Sequence, residues 1–353
     1  MKALVLAGGS GTRLRPFSHS LPKQLIPVAN RAVLSYVLGN VHAAGVTDVG
    51  IIVSNGAEAI RQALGDGADH GLRLTYLTQP QPLGLAHAVR VARPFLGVDD
   101  FVVYLGDNML ADGIAETVAR FRRDRPAAHL VVQKVADPRA FGVVELDAQA
   151  RVRRLVEKPP EPRSDLALVG VYVFTAALHA AVDAITPSAR GELELTDAVQ
   201  WLVDRGADVR ADEYAGFWKD VGTVADVLEC NRYVLGGQRG RIDGRVDTHS
   251  TIGPGVVVET GARVVRSRIQ GPAIVGAGAL VEDSLLGPHT AVGAGCRVQG
   301  SEVADSVLLD GASVTAVLRL AGSILGRGAV VTGGGSAGHR LVLGDHGAVT
   351  LDP

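Results

Sequence analysis

Near the end of this chain, aliphatic residues return in a fixed rhythm. Ile252, Val258, Val264, Ile269, Val275, Val281, Leu286, Val292, Val298 and Val303 follow one another at steps of six, six and five residues. The rhythm closes every 17 residues, through Ile252, Ile269, Leu286, Val303 and Leu320. Neither the 3.6-residue period of a helix nor the two-residue period of a strand produces such spacing. A coil with three flat faces per turn does. Each step is one face, each aliphatic side chain points into the stack, and the five-residue step is a shortened corner. Three steps carry the form aliphatic-Gly-x-Gly: Ile252-Gly253-Pro254-Gly255, Val275-Gly276-Ala277-Gly278 and Val292-Gly293-Ala294-Gly295. Glycine suits corners where φ must be positive. The pattern predicts a parallel β-helix over residues 245–353. The tail after Thr332 leaves the register and is expected to cover the end of the stack.

The rest of the chain is built differently. Of the 44 glycines, 22 lie after Arg239, whereas the last aromatic residue is Tyr233 and the last lysine Lys219. Two parts so unlike in composition are not expected to share one core. A boundary is expected in the glycine-rich stretch Gly236–Gly244, after a first domain spanning 1–236. That first part alternates short apolar runs with helical spacing. Lys2–Ala7, Val49–Ser54, Phe101–Leu105 and Leu130–Val135 read as strands; Val33–Ala44, Leu85–Phe95 and Ile114–Arg123 read as helices. Such alternation predicts an α/β domain with a Rossmann-like, mostly parallel sheet. Ligands in such sheets bind beyond the carboxyl ends of the strands, so the loops after Ala7 and Leu105 are where chemistry is expected.

Charge and cysteine content exclude other classes. Thirty-five Lys and Arg against 37 Asp and Glu give a net charge of −2, which argues against binding nucleic acid through a basic surface. Two cysteines, Cys230 and Cys296, cannot build a disulfide framework or a cysteine-rich zinc site, and a reduced cytoplasmic setting is expected. No apolar run approaches the length of about 18 residues that a membrane helix needs. The short run Ala3–Ala7 is likewise not expected to be a signal peptide.

Ala7-Gly8-Gly9-Ser10-Gly11-Thr12-Arg13-Leu14 follows the first strand. Backbone N–H groups in such a turn can approach phosphate or a base edge because no Cβ intervenes. It is not a P-loop, since Thr12-Arg13 stands where Gly-Lys-Ser/Thr would need lysine. It is not the dinucleotide fingerprint, since Leu14 stands where that motif has glycine. Arg13, and Lys23 in Pro22-Lys23-Gln24-Leu25, add two cations suited to a polyphosphate.

At these residues the sequence resembles the sugar-1-phosphate nucleotidylyltransferases, and among them the branch that joins dTTP to glucose 1-phosphate. The resemblance continues in order through Gln79-Pro80, Gly84-Leu85-Ala86, Leu105-Gly106-Asp107-Asn108, Phe141-Gly142-Val143-Val144-Glu145 and Glu157-Lys158-Pro159. It then runs through Val169-Gly170-Val171-Tyr172, Pro187–Asp197 and Trp218-Lys219-Asp220-Val221-Gly222. It covers about Met1 to Leu235. With the β-helix added, in left-handed form, the chain resembles the long form found in deoxysugar pathways of antibiotic biosynthesis.

The resemblance implies attack by a sugar-phosphate oxygen on the α-phosphorus of dTTP, giving dTDP-glucose and pyrophosphate. The nucleophile is already an anion, so the protein's tasks are to bring two anions together and stabilise the leaving group. Arg13, Lys23, Asp107, Lys158 and Asp220 are the implied catalytic residues, with Asp107 and Asp220 as ligands of Mg²⁺. Gly8, Gly9, Gly11, Thr12, Arg13, Gln79, Gly84 and Asp107 are implied to bind the nucleotide, Gln79 and Gly84 reading the pyrimidine edge. Asn108, Gly142, Glu157, Lys158, Val169 and Arg190 are implied to bind the sugar phosphate. Phe141 stands where many relatives carry an aromatic hydroxyl, which puts inherited sugar selectivity in question there.

Three alternatives stay open on the sequence alone. A UTP-dependent enzyme differs in its donor by one methyl, worth ~1–3 kcal/mol of discrimination. A bifunctional chain would add acyl transfer on the β-helix. A non-catalytic regulatory homologue would be expected to lack some of the charged residues that are all present here. A homo-oligomer associating through the flat sides of the coil is expected. Every motif precedes Tyr233, so removing Val246–Pro353 is expected to leave the site residues in place and to change assembly or solubility.

Overall fold

The structure is a computed structural model that describes residues 1–9, 11–54, 58–333 and 338–351. Ser10 of the glycine loop and 334–337 of the tail lie outside the described residues. By its contacts the chain divides into two compact units. One comprises Met1–Gly9 and Leu34–Asp220; the other comprises Ser10–Val33 and Val221–Pro353. The stretch Gly236–Gly244 falls inside the second unit.

The first unit is the α/β domain. Strands Phe101–Leu105, Lys2–Leu6, Asp48–Val53 and Arg73–Thr78 lie side by side in that order and run parallel. The nine-stranded sheet continues antiparallel from Phe101–Leu105 to Leu166–Phe174, and on to Gly142–Leu146 and Val152–Glu157. Ala128–Lys134 pairs with Leu166–Phe174, and Val209–Glu213 adds to it in parallel. The predicted helices form at Val33–Ala43, Leu85–Val91 and Ala115–Asp124. Leu4, Leu6, Phe101, Val103, Leu130, Val132, Tyr172 and Phe174 are buried with Ala86, Val89, Leu195, Val199 and Leu202 of the helices Leu85–Val91 and Leu195–Asp204. Lys2–Leu6 has one neighbour on each side, and the loops leaving it and Phe101–Leu105 emerge together: Gly106 N–H donates to Leu6 O at 2.9 Å. This is the crevice where open α/β sheets take ligands.

The second unit carries the predicted parallel β-helix. Three sheets of seven, seven and five short strands stack in parallel from Arg241–Ile242 to Ala348–Thr350. Pairings such as Ile252↔Ile269, Val264↔Val281 and Val275↔Val292 follow the 17-residue period. All the named aliphatic positions after Ile252 are buried. The two glycines of each motif do different work. Gly278 takes φ +68° at a corner, whereas a Cβ on Gly276 would come within 2.7 Å of the backbone of Gly293 in the next coil. A buried serine ladder follows the same period: the N–H groups of Ser267, Ser284 and Ser301 each donate to the hydroxyl of the serine 17 residues earlier. The tail continues the stack rather than only covering it. Val342–Leu343 pairs with Ile324–Leu325, and Ala348–Thr350 with Val330–Thr332, so it supplies one more coil. The partners there stand 18 residues apart, which is why the tail falls outside the 17-residue register. Both cysteines are buried. Among the described residues no helix is long and apolar enough to cross a membrane.

Candidate active site

Asp107 sits just past the carboxyl end of Phe101–Leu105 and is 8% exposed. The chain then enters Asn108–Leu110, which pairs antiparallel with Trp218–Asp220. The register sets Asp220 opposite Asn108. Asp220 is thereby paired with the residue next to Asp107, more than a hundred residues away in sequence. Asn108 is buried, and its side chain is committed. Its Oδ1 accepts from the Trp218 indole N–H at 2.7 Å, and its Nδ2 donates to Asp107 Oδ1 at 3.2 Å. The indole fixes the amide and the amide aims the carboxylate. Two hard oxygen donors beside a crevice suit a divalent cation that takes its remaining ligands from phosphate and water, as Mg²⁺ does. Among the described residues no group of three or more His, Cys, Asp or Glu side chains gathers into a closed cage.

The predicted sugar-side residues gather at the neighbouring strands. Gly142 and Glu157 face each other across the pair Gly142–Leu146 and Val152–Glu157. A Cβ on Gly142 would meet Leu168 Cδ1 at 2.7 Å, Thr196 Cγ2 at 2.9 Å and Glu157 Oε2 at 3.2 Å, so glycine is tightly enclosed here beside Glu157. Lys158 adopts φ +42°, a left-handed conformation costly for lysine, and its N–H donates to Phe141 O. Its ammonium lies 3.7 Å from Glu157. Arg190 approaches Glu157 at 3.5 Å, Glu194 at 3.2 Å and Glu192 at 3.3 Å. Burial pushes the Glu194 carboxyl above its usual range. Val169 is fully buried where Leu166–Phe174 shifts register beside Gly170. Phe141 has no hydroxyl to offer and packs edge-on against Trp218, ring centres 5.3 Å apart.

The predicted base-side residues of the first unit also meet. Gln79 follows the strand Arg73–Thr78, and its Oε1 lies 3.8 Å from where a Cβ on Gly8 would stand. Gln79 Nε2 donates to Gly84 O at 3.1 Å. Gly84 has φ +103°, and a Cβ there would fall 2.4 Å from Leu193 O. Gly9 is exposed at the edge of this unit.

Gly11, Thr12, Arg13 and Lys23 belong to the second unit. Gly11 has φ +60° and packs so closely that a Cβ would touch Lys23 Cβ at 3.0 Å. The guanidinium of Arg13 lies over Gly222, 2.8 Å from a Cβ placed there. The segment 11–33 is seated on the helix Val224–Gly236 and on the β-helix. Ala29 N–H donates to Asn231 Oδ1, Asn30 Nδ2 to Val292 O, and Ser20 Oγ to Asp345 Oδ2.

Three polar residues at these places were not assigned roles from the sequence. Trp218 was visible only as part of a motif; its bond to Asn108 depends on strand register. Thr196 is buried beside Gly142, and its hydroxyl has no hydrogen-bond partner among the described residues. His87 meets the same amide nitrogen of Gln79 that faces Gly84, at 2.9 Å. No spacing rule links it to Gln79 before the turn at Gly84 is known.

A family model described as nucleotidyl transferase matches residues 2–236. Over nearly its whole length the chain is similar to glucose-1-phosphate thymidylyltransferases of two Streptomyces species. It is 53% identical to that of Streptomyces griseus over 348 residues, 98% of each chain. It is 54% identical to that of Streptomyces antibioticus over 354 residues, 99% of each. Among solved structures, a Bacillus anthracis protein assigned as a glucose-1-phosphate thymidylyltransferase, in complex with sucrose, superposes with TM-score 0.62 at 33% identity. It matches 66% of this chain and 94% of its own. A strand-end carboxylate pair set in an α/β crevice, and a matched sequence running through both, lead to one assignment: the chain belongs to the nucleotidyl transferase family.

Proposed function

We propose that this protein transfers a thymidylyl group from dTTP to α-D-glucose 1-phosphate, giving dTDP-glucose and pyrophosphate for deoxysugar synthesis. The observation that carries the proposal is the pairing of Asp220 with Asn108, the residue next to Asp107. Mg²⁺ held by these two carboxylates would neutralise phosphate charge and draw electron density from the α-phosphorus. Asn108, fixed by Trp218, keeps Asp107 aimed. Lys158 and Arg190 hold the phosphate of the sugar, which arrives already ionised, so no group need remove a proton. Glu157 accepts hydrogen bonds from sugar hydroxyls beside Gly142 and Val169, and Asn108 lines the same side. Gly8, Gly9, Gly11, Thr12, Gln79 and Gly84 bind the nucleotide. Arg13 and Lys23 take the charge that develops on the departing pyrophosphate. The protein works in the cytoplasm as a homo-oligomer that associates through the β-helix.

Pyrophosphate release with glucose 1-phosphate and Mg²⁺ tests this, with dTTP, UTP, ATP, CTP and GTP assayed in parallel. The expected result is preference for dTTP, and loss of at least about a hundredfold in rate in Asp107→Asn. Equal or better use of UTP would transfer the protein to a uridylyl pathway, and an undiminished Asp107→Asn rate would overturn the role of the carboxylate.

A further inference from the structure

We infer that His87 is a positioning residue that decides which end of the Gln79 amide the nucleobase meets. The inference rests on Gln79 being the base reader. The Gln79 side chain has two donors and one acceptor group, and the structure accounts for both donors. One N–H of Nε2 goes to Gly84 O at 3.1 Å and the other to His87 Nδ1 at 2.9 Å. A backbone carbonyl can only accept, so the amide nitrogen must face Gly84. The amide oxygen is then turned the other way, toward Gly8. Gln79 therefore offers the base an acceptor and no donor.

That choice has a consequence for the base. N3 of thymine and uracil carries a hydrogen and can donate to Oε1. N3 of cytosine is a lone pair, which would face the oxygen and be repelled. A buried polar pair left unmatched is a stronger discriminator than a methylene-sized difference in shape.

The Gly84 carbonyl alone would fix the amide less firmly, because rotation about the side chain could carry the nitrogen off it. His87 supplies the second anchor from the helix Leu85–Val91, one turn after Gly84. To accept at Nδ1 the ring must be neutral with its proton on Nε2. Burial, and then the nearby Arg90 charge, hold the imidazole below its ordinary value and so favour that state. The imidazole touches neither base nor phosphate in this account; it acts through Gln79.

Steady-state kinetics of the full-length enzyme with dTTP and dCTP as donors tests the inference in four proteins: wild type, His87→Ala, His87→Asn and Gln79→Ala. Asparagine can place an acceptor oxygen near the position of Nδ1. The expected result is that His87→Ala lowers the dTTP-to-dCTP ratio of kcat/KM by about tenfold, chiefly through KM, the scale of one lost hydrogen bond to a buried site. His87→Asn is expected to restore most of the ratio. Thermal melts establish that each variant is folded. An unchanged ratio in folded His87→Ala overturns the inference, as does a His87→Asn ratio no better than alanine's. If Gln79→Ala itself keeps the wild-type ratio, the base-reading role of Gln79 fails instead. If Gln79→Ala collapses the ratio while His87→Ala does not, only the positioning role of His87 fails.

Discussion

Asn231 joins the turn at Ala29-Asn30 to the β-helix, and its replacement by alanine should cost the second unit a large part of its stability. Asn231 is fully buried on the helix Val224–Gly236. Its Oδ1 accepts from Ala29 N–H at 2.9 Å, and its Nδ2 donates to His289 O at 2.8 Å. Truncation leaves one buried N–H and one carbonyl without a partner. Each such group costs about 1–3 kcal/mol, so Asn231→Ala should destabilise by roughly 2–5 kcal/mol once some relaxation is allowed. A domain holds only about 5–15 kcal/mol in total. Asn30→Gly is the calibrating variant. Asn30 has φ +61°, which glycine adopts without strain, so this change removes only the bond from Nδ2 to Val292 O and should cost about 1 kcal/mol. Urea unfolding followed by far-UV circular dichroism measures both. The two tryptophans, Trp201 and Trp218, lie in the first unit, so their fluorescence follows that unit alone. A loss below about 0.5 kcal/mol in Asn231→Ala would refute the argument that this amide clamps the turn.

Two further outcomes follow from close packing. Gly142→Ala should raise the glucose 1-phosphate concentration needed for half-saturation by about tenfold while leaving the dTTP requirement nearly unchanged, because the new methyl presses on Leu168, Thr196 and the end of the Glu157 side chain, on the side proposed to take the sugar; initial-rate kinetics with each substrate varied in turn checks it, and equal changes for both substrates would argue against a local effect. Cys296 is fully buried, with its thiol pushed up to about 12 by burial, and Cys230 is equally enclosed. Native protein at pH 8 should therefore resist iodoacetamide at both sites, and mass spectrometry should find both labelled only after unfolding.

What the sequence revealed, and what it hid, followed from where each residue's partner lies. Every inward residue of the β-helix sees nearly the same surroundings one coil later, so identity repeats at the spacing of the coil and the fold is legible from Ile252, Ile269 and Leu286 alone. The serines at 250, 267, 284 and 301 obey the same rule. The last coil was hidden because one extra residue per turn, Val331↔Val349, moves it off the period. Asp107 could be anticipated at a strand end. Asn108 was expected on the sugar-phosphate side and Trp218 was visible only as a motif residue; the bond between them could not be read, since it exists through the register of two short strands.

The seating of segment 11–33 was the least legible feature, and it changes one expectation. Its partners on the β-helix are largely backbone carbonyls, those of Val292 for Asn30 and of His289 for the clamping Asn231. A carbonyl belongs to every residue and leaves no mark in a sequence. Because all recognisable motifs precede Tyr233, removal of Val246–Pro353 looked harmless to the site. The structure gives the segment carrying Arg13 and Lys23 several of its supports from within the part to be removed: Val292 and Asp345 directly, and His289 through Asn231. Without them the segment that carries these two cations, proposed to meet a polyphosphate, would be held less firmly. Preorganised charge is worth most when it cannot relax. Truncated protein should therefore lose at least about tenfold in kcat with the first unit's sheet intact by circular dichroism. A folded truncation with wild-type kcat would mean that the β-helix serves assembly alone.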